Sequence, residues 1–348
     1  MSQNLIYLDR NENHYGPAPA CFKALHKKNF SKLSNYSRDF MRGVKSKLSE
    51  KLAQDFQIDE SQVLLGYGGE DILKQVVHCY LHKDEKILVP QYSWWYYKVI
   101  ADEVGGIREL YPIYEDATTF RFDVDKIIES VNLHKPKVIL ISSPNNPTGN
   151  SMPIPELFRL LDAVKDTVVV MDEAYTVFVN GDRKYVKDII DNYPNVLIIR
   201  TFSKYYALAG IRIGFAFMGK NLSQFSKFSS RYLGYNRLSE RIAISALESE
   251  EYYAEMRQNM LADLEMYFTE LNQLPGFTAY RSEANFILVK IPVEIKAPLN
   301  EFLKKKGIII KFMNEDGLTN HLRITIGTRE ENRLALDAIK EFVETHNA

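Results

Sequence analysis

The stretch NVLIIRTFSK, residues 195–204, joins four consecutive apolar residues to a segment that carries two hydroxyls and a lysine. A run that is apolar at every position, and not only at alternate ones, is typical of a strand buried on both faces of a sheet. Lysine is rarely buried without a partner, so Lys204 needs a functional reason in such a place. The same holds for Arg212, eight residues further along the chain. The stretch therefore predicts a buried strand with a functional cation at its carboxyl end.

Three further runs share this apolar pattern, namely KILVP (86–90), KVILISS (137–143) and TVVVMDEAY (167–175). Helical patterns lie around them in VKSKLSEKLAQDF (44–56), EDILKQVVHCYL (70–81) and IPELFRLLDAVK (154–165). The alternation predicts an α/β fold, whose large domain has a mostly parallel sheet covered by helices on both faces. Such folds bind ligands just beyond the carboxyl ends of the strands, where the polar residues of these runs are placed.

The last third of the chain has a different pattern. A long helical region, roughly residues 238–274, is followed by the predicted strands NFILVKI (285–291), GIIIKF (307–312) and HLRITIG (321–327), with helices at about 297–306 and 329–346. This predicts a smaller α+β domain that is completed by the N-terminal segment. We expect a large domain at 41–250, a small domain formed by 1–40 and 275–348, and a connecting long helix at 251–274.

Composition narrows the class of protein. The net charge is −1 over 348 residues, whereas nucleic-acid and anionic-membrane binders carry a large positive excess, so we expect neither partner. Cys21 and Cys79 are too few and too far apart for a disulfide scaffold or a zinc knuckle, and we expect no metal site. The N-terminus has no apolar signal region, and no stretch approaches the length of a membrane span. A cytoplasmic location is expected.

Five short stretches carry groups suited to chemistry: GYGGED (66–71), SPNNPTG (143–149), DEAY (172–175), TFSK (201–204) and LRITIG (322–327). Each alone has an ordinary explanation, since NPTG is typical of a turn and DEAY of a helix cap. Three of them follow predicted strands, one begins a predicted helix, and one lies in the small domain. Their combination indicates one composite site.

With these motifs the chain resembles the fold-type I, pyridoxal-phosphate (PLP) aminotransferases of class I/II, which have the aspartate aminotransferase-like fold. It is most similar to the histidinol-phosphate aminotransferase family. The resemblance runs essentially end to end, from LDRNENHYGP (8–17) through FSKYYALAGIRIGF (202–215) to LRITIGT (322–328). These motifs are specific for the cofactor class and much less so for the substrate.

The resemblance implies the roles of the catalytic residues. Lys204 matches the lysine that binds the PLP aldehyde covalently, and Asp172 matches the carboxylate that faces the cationic pyridine nitrogen. Asn146 and Tyr175 match the residues that hydrogen-bond the 3-oxygen of the ring. Lys204, Asp172 and Tyr175 are therefore the predicted catalytic residues.

The remaining cofactor contacts follow from the same resemblance. An aromatic residue stacks on the ring, which is Trp95, or Trp94 if the register is shifted by one. Tyr36 matches a tyrosine that reaches the phosphate in the neighbouring subunit, which implies a homodimer with shared active sites, although the usual YPDP reads YSRD here (36–39). A helix N-terminus, hydroxyls and a cation suit a phosphate, and the matching residues are Gly69, Glu70, Thr201, Ser203 and Arg212.

The substrate contacts are less clear. Arg323 matches the arginine that binds the substrate α-carboxylate by a bidentate contact, and Tyr15 and Asn146 match further substrate-contacting residues. Lys311 stands where the histidinol-phosphate enzymes usually carry an arginine for the substrate phosphate, and it keeps the charge but loses the planar fork. Arg38 and Arg237 are cationic additions relative to the family pattern and are secondary candidates for the anionic tail.

Three functions remain open at this point. The first is a transaminase with glutamate/2-oxoglutarate and a small phosphorylated ketone or amine, either like histidinol phosphate and imidazole-acetol phosphate or shorter, as dihydroxyacetone phosphate and serinol phosphate are. The second is a decarboxylase of an amino-acid phosphate, like the threonine-phosphate decarboxylases. The third is a non-catalytic PLP-binding regulator, which we expect least because the chain starts too close to the enzyme motif for a fused DNA-binding domain.

Overall fold

The computed structural model describes residues 5–25, 34–178 and 185–346. The strands are β1 (Ile6–Leu8), β2 (Val63–Gly66), β3 (Lys86–Pro90), β4 (Ile107–Tyr111), β5 (Ile113–Glu115), β6 (Phe120–Phe122), β7 (Val138–Ser142), β8 (Val168–Asp172), β9 (Val196–Thr201), β10 (Gly214–Met218), β11 (Thr278–Ala279), β12 (Phe286–Lys290), β13 (Ile308–Phe312) and β14 (His321–Thr325). The helices are α1 (Pro19–Lys23), α2 (Lys47–Phe56), α3 (Gly69–Tyr80), α4 (Trp95–Val99), α5 (Val124–His134), α6 (Ile154–Ala163), α7 (Tyr185–Asn192), α8 (Ser223–Phe228), α9 (Arg237–Leu247), α10 (Glu250–Leu271), α11 (Lys296–Lys305) and α12 (Arg329–His346).

The larger sheet has seven strands in the order β2-β10-β9-β8-β7-β3-β4. All run in one direction except β10, which is antiparallel to both of its neighbours. The prediction of a mostly parallel sheet is therefore confirmed. β10 itself was not predicted as a strand, because its sequence GFAFM (214–218) directly continues the motif around Lys204 and carries no turn signal of its own.

Two cores explain why the strands are apolar at every position. In β8, Val169 and Met171 belong to one buried cluster, whereas Val170 between them belongs to the other. Helix α3 packs on β9 and β10 and contributes to the second cluster, while α5, α6 and α7 contribute to the first. Both faces of the sheet are thus covered, as the continuous apolar runs predicted.

Helix α2 begins later than the apolar pattern predicted. The pattern placed Val44 on its buried face, but the helix starts at Lys47, because the Ser46 side chain accepts hydrogen bonds from the backbone N–H groups of Leu48 and Ser49. In return, the Ser49 hydroxyl oxygen accepts a hydrogen bond from the backbone N–H of Ser46, which completes a capping box. The serine cap, and not the apolar period, sets this boundary.

The smaller sheet has the order β1-β13-β14-β12-β11. The N-terminal strand β1 pairs in parallel with β13, with Ile6 opposite Ile308, while the other pairs are antiparallel. Helices α10, α11 and α12 pack on this sheet or on one another. The N-terminal segment thus joins the C-terminal strands, and the residue limits given above for the two domains stay predictions.

The long helical region predicted at about 238–274 is two helices. α9 ends at Leu247 and α10 begins at Glu250. The Ser249 hydroxyl donates to the carbonyl of Ser245, and Glu250 and Glu251 occupy the first turn of α10, where acidic side chains favour a new N-terminus. Across the described ranges, none of the helices is both long and apolar enough to cross a bilayer.

A buried ion pair joins the ends of β8 and β9. The Arg200 Nε donates to Glu173 Oε2 at 2.9 Å, and the guanidinium lies 5.1 Å from the ring centroid of Phe56. Glu173 is 1% exposed and also accepts a hydrogen bond from the hydroxyl of Tyr185. The carboxylate therefore depends on partners inside the protein.

We expect Arg200→Met to lower the free energy of unfolding by about 3–5 kcal/mol, because it removes the buried guanidinium that pairs with the Glu173 carboxylate. Denaturant titration followed by circular dichroism measures this. Arg159→Met is the control, since Arg159 pairs with Asp125 and Glu156 at the surface and its loss should leave stability nearly unchanged. Equal effects of the two substitutions would show that the buried pair is not important for stability.

Candidate active site

A cleft of about 880 Å³ lies at the carboxyl ends of β7, β8 and β9 and extends to β13 and β14. It brings together most of the site residues that the sequence predicted. The predicted residues that line it are Gly69, Glu70, Trp95, Asn146, Asp172, Tyr175, Thr201, Ser203, Lys204, Arg212, Lys311 and Arg323. Residues from both sheets thus face one space.

Lys204 follows β9 and extends its amine into this cleft. The Nζ donates to the backbone carbonyl of Arg10 at 3.1 Å and lies 5.9 Å from the ring centroid of Tyr175. Burial, together with the positive charge of Arg323, lowers the pKa of Lys204 to about 8. The amine is thus neutral in a useful fraction near physiological pH, as a nucleophile must be.

Asp172 is the last residue of β8, and both of its carboxylate oxygens accept hydrogen bonds. The Tyr97 hydroxyl donates to Oδ2 at 2.5 Å, and the backbone N–H of Ala174 donates to Oδ1 at 3.0 Å. Burial raises the pKa of Asp172, and these two hydrogen bonds oppose that rise. The carboxylate is thus held in a fixed orientation at the floor of the cleft.

Tyr175 is held by the N-terminal segment. Its hydroxyl accepts a hydrogen bond from Asn11 Nδ2 at 2.9 Å, and its ring packs edge-on against Phe286. Burial raises the pKa of Tyr175, so the phenol keeps its proton and can donate it to an acceptor in the cleft. The backbone of Asn11 lies in the left-handed region, with φ of 54°, and bonds to Thr325 of β14.

An anion cradle is formed at the start of α3. Gly68, with φ of +92°, precedes the first helical residue Gly69, and a Cβ on Gly214 of β10 would lie 2.6 Å from the Gly69 nitrogen. This close approach leaves the N-terminal N–H groups of α3 facing the cleft, where they favour an anion. The Thr201 hydroxyl donates to Ser203 Oγ at 2.9 Å, so two hydroxyls lie beside them.

The cation of this cradle is Arg212. Its Nη2 lies 3.7 Å from a carboxylate oxygen of Glu70, and its Nη1 donates to the carbonyl of Ala209. A Cβ on Gly68 would lie 2.6 Å from Nη2, so only glycine allows the guanidinium to approach the helix start this closely. The donor set of helix N–H groups, hydroxyls and guanidinium fits a phosphate.

Arg323 lies on β14 with its guanidinium in the cleft. Nη1 donates to Asn146 Oδ1 at 2.5 Å and Nη2 donates to the carbonyl of Asp9 at 2.7 Å. Nε is buried and has no hydrogen-bond partner within the described part of the chain. Lys311 on β13 is directly opposite Arg323 in the sheet register and is exposed to the cleft. Two cations thus lie side by side at the small-sheet edge of the site.

Four of the predicted residues do not line the cleft, namely Tyr15, Tyr36, Arg38 and Arg237. Tyr15 is half-buried, and burial together with the negative charge of Asp263 raises its pKa; it does not line the cleft in the described structure. Tyr36 is 70% exposed, and its backbone carbonyl accepts a hydrogen bond from Arg237 Nη2 at 2.6 Å. Arg38 is exposed beside it. The roles of these residues stay predictions.

Sequence reasoning missed several residues of the cleft. Tyr97 and Asn11 hold the predicted catalytic side chains, and Glu315 adds a carboxylate to the lining of the cleft. Asn11 had a signal, since it lies within the NEN of the N-terminal motif. Tyr97 had none, because in SWWYY (93–97) it looks like one more core aromatic. Trp94 and Trp95 both line the cleft, and Trp95 is the more exposed of the two at 59%.

Comparison with known proteins identifies the family. The family model for aminotransferase class I and II matches residues 3–339. The chain is 34% identical over 293 residues to the histidinol-phosphate aminotransferase of Ruminiclostridium cellulolyticum, a match that covers 84% of this chain and 80% of that protein. Asp172 and Lys204 lie within the residues that the family model matches.

Solved structures share the fold. The histidinol-phosphate aminotransferase of Sinorhizobium meliloti, in complex with pyridoxal-5′-phosphate, matches with a TM-score of 0.86 and 22% identity, over 98% of this chain and 91% of that one. The L-threonine-O-3-phosphate decarboxylase of Porphyromonas gingivalis matches with a TM-score of 0.81 and 21% identity, over 98% and 100%. At these identities the likeness shows the fold alone. With the family match over nearly its whole length, the chain belongs to the aminotransferase class I and II family and is a PLP-dependent aminotransferase.

Proposed function

We propose that this aminotransferase moves an amino group between glutamate/2-oxoglutarate and a small phosphorylated ketone or amine. The observation that carries the proposal is the pairing of Arg323 with Lys311 at one edge of the cleft that also holds Lys204 and Asp172. One cation suits an α-carboxylate and the second suits an anionic tail. The names of the histidinol-phosphate aminotransferases to which the chain is similar support a phosphate in that tail.

The residues of the cleft fit PLP. The start of α3 with Thr201, Ser203 and Arg212 would hold the phosphate, and Asp172 would face the ring nitrogen. When bound, PLP supplies an electron sink that stabilises negative charge on the substrate Cα. Asp172, when ionised, would favour the protonated ring nitrogen on which that sink depends.

The protein's own groups perform the proton transfers. Lys204, with its lowered pKa, could accept the proton that leaves the substrate Cα and later release it, as a general base and acid must near neutral pH. The Tyr175 hydroxyl and Asn146 would hydrogen-bond the ring oxygen. Arg323 orients the α-carboxylate, with Nε available for a further bond. The arrangement therefore supports transamination.

We also propose a homodimer with shared sites. Tyr36, Phe40, Met41, Tyr232 and Leu233 form an exposed aromatic and apolar surface, each being at least 59% exposed. Apolar surface of this kind favours a protein partner, and a second copy of this chain would bring Tyr36 to a neighbouring cleft. The two cysteines are free and buried, which fits the reducing conditions of the cytoplasm that we propose as its location.

Lys204 should capture PLP at lower pH than an ordinary lysine does. Since only the neutral amine is nucleophilic, the rate of covalent capture by the apoenzyme should rise with pH and level off above about 8, whereas an unperturbed lysine levels off near 10.5. Stopped-flow absorbance measures the rate, and Nα-acetyl-lysine with the same PLP is the reference compound. Borohydride should then fix the cofactor on the Lys204 peptide. A label on another peptide would contradict the assignment.

Lys311→Met should weaken glutamate and the phosphorylated substrate together. A charge-assisted contact is worth about 1.5–3 kcal/mol, so kcat/KM should fall roughly ten- to a hundredfold for both, while alanine, which has no anionic tail, is barely affected. Lys304→Met is the matched control, because Lys304 lies in the adjoining surface groove and not in the cleft. If alanine loses as much as glutamate, Lys311 has a structural role. Release of CO2 in place of keto product from an amino-acid phosphate would instead support the decarboxylase.

Shared sites predict complementation between two variants. In a mixed dimer of Lys204→Ala with Tyr36→Ala, one site has both an intact lysine and an intact tyrosine. Random pairing of equal amounts should therefore restore about a quarter of wild-type activity, well above the two variants alone. Sedimentation confirms the dimer, and each unmixed variant is the control. Activity that stays at the average of the two would contradict shared sites.

A further inference from the structure

Tyr97 occupies an unusual position for a core aromatic residue. It lies in the short helix α4 and is 1% exposed, yet it lines the cleft and donates its hydroxyl to Asp172 Oδ2 at 2.5 Å. Its ring packs edge-on against Trp94 with centroids 6.0 Å apart, which fixes the side chain. Helix α4 therefore supplies the hydroxyl that holds Asp172, the last residue of β8, at the floor of the site.

We propose that Tyr97 is a positioning residue that keeps the Asp172 carboxylate ionised and turned toward the cofactor ring. The inference rests on the proposed role of Asp172 as the partner of the ring nitrogen. It goes beyond that role, because it makes the charge of Asp172 depend on a hydroxyl from a separate element.

The direction of this hydrogen bond is set by the surroundings. Burial, together with the charge of Asp172, raises the pKa of Tyr97 well above its usual value, so the phenol keeps its proton and is the donor. Asp172 Oδ2 is then the acceptor. The second donor, the N–H of Ala174, occupies Oδ1, so neither oxygen is free to turn.

The pKa of the Asp172 carboxyl group reflects opposing influences. Burial raises the pKa of Asp172, and the negative charge of Glu173 raises it further. The Tyr97 hydroxyl is the largest opposing influence, followed by the Ala174 N–H and the charge of Lys204. Tyr175 also faces Asp172, but as a neutral phenol. Without the Tyr97 hydroxyl, the buried carboxyl group therefore loses the largest influence that lowers its pKa.

The consequence for the cofactor depends on pH. A raised carboxyl pKa means that the carboxylate takes up its proton at a higher pH as the solution is acidified. A neutral carboxyl group pairs poorly with a cationic ring nitrogen. Without the hydroxyl, PLP affinity should thus be nearly normal in alkaline solution and fall as the solution becomes acidic. A purely structural role for Tyr97 would lower affinity by the same factor at every pH.

The test compares the PLP dissociation constant of the apoenzyme and its Tyr97→Phe variant at pH 6 and pH 8.5, by quenching of protein fluorescence. We expect the variant to bind about tenfold less tightly than wild type at pH 6 and within about twofold at pH 8.5, from the loss of one charge-assisted hydrogen bond. Tyr111→Phe is the matched control, because Tyr111 is as deeply buried and its hydroxyl donates to the carbonyl of Leu140. Its ratio to wild type should not change with pH.

Asp172→Asn separates this inference from the proposed function. An amide does not titrate, so Tyr97→Phe should add no pH dependence in the Asp172→Asn background. If Asp172→Asn alone leaves PLP affinity unchanged, the role of Asp172 as ring partner fails. If Asp172→Asn weakens binding but Tyr97→Phe gives the same ratio at both pH values, only the role of Tyr97 is overturned.

Discussion

The parallel register of β7, β8 and β9 is the constraint on which the site depends. Ser142 is paired with Asp172, and Asp172 with Ile199, so the three strands end at one edge of the sheet. The segments that follow them carry Asn146, Tyr175 and Lys204 into the same cleft. Because these ladders fix the three strands relative to one another, the sheet sets where each of the three segments starts.

The antiparallel strand β10 adds the anion cradle to this edge. It is inserted between β9 and β2, and Gly214 lies so close to Gly68 and Gly69 that any side chain there would collide with the backbone. The start of α3 is thereby held beside Thr201 of β9. A helix N-terminus attracts an anion only within its first turn, so this contact decides whether the hydroxyls and the helix act on the same phosphate.

The sequence predicted the groups that follow buried strands and missed those that support them. Lys204 and Asp172 are recognisable because a charge at the end of a fully apolar run requires an explanation. Tyr97 lies 75 residues from Asp172 and in an aromatic run, so its partner is visible only in three dimensions. The central parallel strands of the larger sheet were predicted, whereas β4 and β10 were not. The start of α2 and the break between α9 and α10 were also missed, because single serine and glutamate side chains set them.

The N-terminal segment connects the chemistry of the two sheets. Lys204 donates to the carbonyl of Arg10, and Arg323 donates to the adjacent carbonyl of Asp9, so both cations contact consecutive peptide groups just after β1. These carbonyls offset part of the free-energy cost of burying two positive charges. Burial and the repulsion from Arg323 lower the pKa of Lys204. A substrate carboxylate at Arg323 would reduce that repulsion. The protonation of Lys204 is therefore coupled to the presence of a carboxylate at Arg323. Strand β14, which carries Arg323, sets the distance between the two cations.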